Sequence, residues 1–174
     1  MMPATYFKDI APIQFEGPDS SNPLAYRYYD KNRVVMGKTM EEHLRFAVCY
    51  WHTFCWDGFD VFGKGTFNRP WHGGALDQAE ADHKMEEAFD FFTRLGLPYY
   101  CFHDVDAMAQ AETIKDHVNN IKHTTDNLAA KQAETGVKLL WGTANLFSHP
   151  RYMAGAATNP DPDVFRFAAT QVRH

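Results

Sequence analysis

A chain of 174 residues with 45% hydrophobic and 22% charged side chains has the composition of one globular domain with a sizeable core. A net charge of −5 and a pI near 5.9 give no electrostatic footing for a nucleic-acid backbone or an anionic membrane surface. No apolar stretch approaches the length of a membrane span and no basic region precedes an apolar run at the N-terminus, so neither a membrane helix nor a signal peptide is expected, and the expected location is cytoplasmic. Three cysteines, Cys49, Cys55 and Cys101, form no close-spaced pattern, which argues against a disulfide framework or a structural zinc site. They read as free thiols, with Cys49 and Cys101 inside strands.

Residues 1–37 are rich in Pro, Asn, Asp and aromatics without a sustained period, and predict an extended N-terminal arm. Thr39 followed by Glu42 fits a capping box opening a short helix. The apolar run Phe46–Trp51 suits either a continuation of that helix or a buried strand, and periodicity does not separate them. Further on, Met85, Ala88, Phe89, Phe92 and Leu95 form a helical stripe that Gly96 stops. Tyr99–Phe102 reads as a strand. A second stripe, Ile114, Val118, Ile121, Thr125 and Leu128, ends at Gly136, before the strand-like run Val137–Trp141. Asp161-Pro162 opens a third helix with the stripe Val164, Phe165, Ala168 and Val172.

Apolar strands alternating with amphipathic helices predict an α/β fold with a parallel sheet. Strands are expected near 46–52, 98–103 and 137–142, and helices near 78–95, 111–135 and 162–173. A closed eight-stranded barrel needs roughly 250 residues, and the last helix runs to His174 with neither cap nor glycine. The chain is therefore expected to be part of a longer protein.

Active residues of parallel α/β proteins lie just past the carboxyl ends of the strands. Three segments hold that place: Trp51–Trp56, Phe102–Asp106 and Trp141–Asn145. In the second, His103, Asp104 and Asp106 put an imidazole beside carboxylates, a grouping suited to proton transfer in which a carboxylate fixes the ring tautomer. A solvated turn with Asp104 capping the next segment fits the same spacing. Gly58, Gly63 and Lys64 resemble a phosphate loop, but Gly65 stands where Ser or Thr must bind magnesium, so nucleotide binding is rejected. No His-Glu-x-x-His zinc motif occurs. His117 and His123 read as solvated helix residues, and Trp141 as the tryptophan facing a pocket.

At these segments the sequence resembles the longer, class II xylose isomerases. Met40–Val48, Tyr50–Phe54, Cys101–Asp106, Lys138–Phe147 and Arg151–Pro160 carry the likeness, which runs from about Tyr6 to His174. The resemblance implies the first three βα units of a (β/α)₈ TIM barrel over residues 38–174, with Phe46–Trp51 as the first strand. It implies interconversion of D-xylose and D-xylulose, and more weakly of D-glucose and D-fructose, by ring opening and a metal-assisted hydride shift. By match, His103 assists ring opening and Asp106 orients and charge-stabilises it. Trp51, Trp141 and Thr143 wall the sugar pocket, and Phe62 reaches into a neighbouring subunit's pocket. The family implies a homotetramer and two divalent cations, Mg²⁺ or else Mn²⁺ or Co²⁺. Their ligands are expected beyond His174, so no metal is expected in this chain, which is expected to be inactive alone. The alternative is a non-catalytic product that binds sugar weakly or needs a complementary chain.

Overall fold

The computed structural model describes residues 4, 6–71, 77–109 and 111–174. The described residues before 34 form turns and coil without a helix or strand, and some of them bond to one long helix, α2 (Gln78–Leu95). The Tyr6 backbone N–H donates to Glu87 Oε2 at 3.1 Å, and the Tyr26 hydroxyl donates to the Leu95 carbonyl at 2.8 Å. Phe7 packs on the core. A hairpin of two-residue strands, β1 (Val34–Val35) and β2 (Lys38–Thr39), then leads into α1 (Met40–His43). The expected capping box is present at Thr39 and Glu42, which satisfies helix-end donors that have no partner within the helix.

Three parallel strands follow, β3 (Ala47–Cys49), β4 (Tyr99–His103) and β5 (Lys138–Thr143), in the order β3-β4-β5. Cys49 pairs with Cys101 and His103 with Thr143, so the strand ends are in register. A strand over 46–52 is expected; the observed one stops at Cys49. Residues Trp51–Cys55 instead form a single π-helical turn, closed by the Trp56 N–H donating to the Trp51 carbonyl at 2.8 Å. That widened turn throws Trp51 across the end of β4, and single π turns of this kind recur at functional sites.

The helices begin and end where capping residues stand. α2 starts behind Asp77, α4 (Ile114–Thr135) behind Thr113, and α5 (Pro162–Arg173) behind Asp161, each cap accepting a backbone N–H. Gly96 and Gly136 close α2 and α4 at φ of 66° and 77°, a region a side chain disfavours. The four-residue α3 (Asp104–Ala107) leaves β4 directly. Tyr100 and Phe102 point from the sheet into a core with Val48, Tyr50, Phe54, Met85, Phe89 and Phe92. Each of those large side chains contributes about 1.5–3 kcal/mol by leaving water.

Two expectations need correction. His117 is not solvated: with Ile121, Thr124, Leu128 and Lys131 it forms the buried face of α4, so Thr124 replaces Thr125 in the stripe. On α5, Phe165 and Val172 are exposed, because the helix turns Ala168 and Gln171 inward toward a polar cluster. In β5 all six residues are solvent-exposed, the apolar Leu139, Leu140 and Trp141 among them.

Candidate active site at the strand ends

β4 delivers His103 to the edge of the sheet, and α3 turns Asp106 back onto it within three residues. The His103 backbone N–H donates to Asp106 Oδ2 at 2.8 Å, and the ring Nδ1–H donates to the same oxygen at 3.0 Å. Since a carboxylate only accepts, this fixes the proton on Nδ1 and leaves Nε2 as the ring's acceptor. Asp106 is buried and His103 is partly open. The pair is an oriented base with a fixed charge behind it, able to accept a proton at Nε2.

Aromatic rings enclose the imidazole. Trp51 lies 4.7 Å from it between ring centroids, Phe147 at 5.4 Å and Trp141 at 6.2 Å, while Trp51 and Trp141 approach each other to 5.3 Å. Thr143 stands opposite His103 in the strand register. The site thus gathers His103, Asp106, Trp51, Trp141 and Thr143. Phe62 does not join them: it sits on the turn bridged between Asp60 and Gly63 with 92% of its surface exposed.

Asp104, for which the spacing allows either a place beside the imidazole or a cap, is the hub of a buried network. Its Oδ1 accepts from the backbone N–H groups of Val105 and Asn145, each at 2.8 Å, and its Oδ2 accepts from Gln171 Nε2 at 2.7 Å. Gln171 also donates to the Asn145 carbonyl at 3.1 Å and accepts from the Tyr152 hydroxyl at 2.5 Å. Asn145 in turn accepts from the Phe147 and Ser148 N–H groups, which sets Phe147 against His103. The signal for this cluster was a glutamine at the next turn of the Val164–Ala168 face, where an apolar residue belongs.

His117 lies beside the hub, 3% exposed, with Nε2 at 3.8 Å from Asp104 Oδ2 and without a hydrogen-bond partner for that nitrogen among the described residues. Burial holds its pKa below the ordinary value, partly offset by the Asp104 charge. On the other side of the dyad, the Cys55 thiol donates to the Asp106 carbonyl at 3.4 Å and receives Lys84 Nζ at 3.5 Å. Burial pushes that thiol up to about 11. Among the described residues no group of three or more His, Cys, Asp or Glu side chains is arranged to hold a metal ion. Nor is any helix among them long and apolar enough to cross a membrane.

Fold and site define a parallel α/β protein whose strand ends present a carboxylate-oriented histidine inside an aromatic cleft. No family model matches the chain. Curated relatives do, and they are named xylose isomerase. The chain is 72% identical over 99% of its length to one from Solibacter usitatus, covering 40% of that protein. It is 61% identical to one from Paraburkholderia xenovorans and 58% identical to one from Pseudoalteromonas atlantica, in each case over 98% of this chain and 39% of the relative. The chain therefore belongs to the xylose isomerase family, matching its N-terminal part. It spans about 40% of the length of the curated relatives it matches.

Proposed function

We propose that this chain supplies the ring-opening part of a xylose isomerase, which interconverts D-xylose and D-xylulose and acts more weakly on D-glucose and D-fructose. The observation that carries this is the His103–Asp106 contact at 3.0 Å inside the aromatic cleft. A pyranose opens when the anomeric hydroxyl loses its proton, the C1 carbonyl forms, the bond from C1 to the ring oxygen breaks, and that ring oxygen takes up a proton. In this reading His103 Nε2 takes the hydroxyl proton and returns one to the ring oxygen, and Asp106 stabilises the imidazolium in between. Trp51 and Trp141 offer apolar faces to the sugar's C–H surfaces and exclude water, and Thr143 adds a hydroxyl at the rim.

In this reading residues 38–174 are the first three βα units of a (β/α)₈ barrel, residues 1–37 form an arm outside it, and the assembly is a cytoplasmic homotetramer in which Phe62 enters a neighbour's pocket. Two divalent cations, when bound, would polarise the oxygens carried by the two sugar carbons between which the hydride moves. In this reading the ligands of those cations, and with them the hydride shift, belong to parts of the enzyme outside this chain. A second reading, in which the chain is non-catalytic until a complementary chain joins it, is favoured by β5, an apolar strand with every residue exposed.

Mixing the chain with the remaining part of the Solibacter usitatus relative, with magnesium, distinguishes the readings. Xylulose formation by the mixture and by neither part alone supports both the assignment and the need for a partner. Xylulose formation by this chain alone refutes the second reading, and none in a correctly assembled mixture refutes the first.

A further inference from the structure

We propose that Cys49 and Cys101 together form a two-thiolate site for the soft monovalent cation copper(I). The two residues face each other in register on the parallel strands β3 and β4, and their sulfurs are 3.9 Å apart. Alternation along β4 puts Cys101 on the sheet face shared with Tyr99 and His103, away from Tyr100 and Phe102, which pack beneath α2. The thiols therefore sit one step below the His103–Asp106 pair. Cys49 is half-buried, leaving a way in, and Cys101 is buried.

Metal–sulfur bonds of about 2.3 Å across this separation give an S–metal–S angle of roughly 115°. Small rotations about the Cα–Cβ bonds open it toward the wider angle that two-coordinate copper(I) favours. The ligand count selects the ion. A structural zinc site takes four ligands, and among the described residues no third His, Cys, Asp or Glu joins this pair in a metal-holding group. Thiolates are the ligands soft copper(I) prefers.

The step is an exchange of protons for metal. Two S–H bonds break, two Cu–S bonds form, both protons pass to solvent, and no electron is transferred. Burial and the neighbouring Cys49 push the Cys101 thiol up to about 12, so binding strengthens as pH rises. Cys55 is a separate thiol, engaged with Asp106 and Lys84.

Silver(I), redox-inert and equally thiophilic, is the probe, titrated into the Cys55→Ser chain and followed by the sulfur-to-metal ultraviolet band. One silver ion per chain is expected. Adding Cys49→Ser, or separately Cys49→Ala, removes one arm of the chelate and is expected to weaken binding by about 100-fold or more. The same titration in concentrated guanidinium chloride separates the two thiols and is expected to weaken it as well. Binding undiminished without Cys49, or equal in folded and unfolded chains, overturns the proposal.

Discussion

Replacing Asp104 by alanine tests whether the buried network holds the ends of β4 and β5 together. The substitution removes the acceptor for three donors: the Val105 and Asn145 N–H groups and the Gln171 amide. Val105 is partly exposed, and water can replace the bond at that N–H. Asn145 and Gln171 are buried, and an unsatisfied buried donor costs about 1–3 kcal/mol. The expected loss is about 3–5 kcal/mol, a large share of the roughly 5–15 kcal/mol that stabilises a typical domain. Asp104→Asn keeps one oxygen for the two backbone donors but turns an amide toward Gln171 Nε2, and is expected to cost about 1–2 kcal/mol. Urea unfolding followed by tryptophan fluorescence measures both, a shift in midpoint at constant slope marking a change in stability. A loss below about 1 kcal/mol for the alanine variant, the range of ordinary surface substitutions, refutes this account of Asp104.

Other expectations rest on neighbouring groups. His117 has its folded pKa depressed below 6.5 by burial, so the unfolded chain binds the proton more readily. Its contribution is full above about pH 6.5 and declines as pH falls toward the folded pKa; in urea titrations from pH 7 to 5, His117→Gln should flatten that decline, and an unchanged slope would exclude His117 as its source. Alkylation by iodoacetamide at pH 8 should be fast at Cys49 and slower by about two to three orders of magnitude at Cys55, whose pKa is about 11. Peptide mass spectrometry reads the order directly, and equal rates would contradict the burial described. Phe92→Ala, a fully buried ring stacked on Tyr100, should cost about 3–5 kcal/mol, and a much smaller loss would mean that the α2 face is loosely packed.

The helix limits were readable because they are chemical events. Gly96, Gly136 and Asp161-Pro162 mark chain reversals and caps that depend on one or two residues. The His103–Asp106 pair was readable for a similar reason, since three residues of helical turn suffice to bring the carboxylate back to the ring. The π turn at Trp51–Cys55 was not, because one i→i+5 hydrogen bond leaves no periodic trace in the side chains. His117 was misjudged by its polarity, although it shares the spacing of Ile121, Thr124, Leu128 and Lys131. The role of Asp104 was hidden for a different reason: its partners come from β5's end and from α5, at sequence distances of 41 and 67 residues, which no local pattern conveys.

The most direct test of the central claim is the kinetics of His103→Asn in the enzyme reconstituted with the complementary part of the relative. If His103 takes the anomeric proton, turnover of cyclic xylose should fall by about 10²–10⁴-fold, the usual worth of a general base. KM should change little, because the substitution removes few contacts with the sugar. Turnover equal to that of the unsubstituted enzyme would contradict the account.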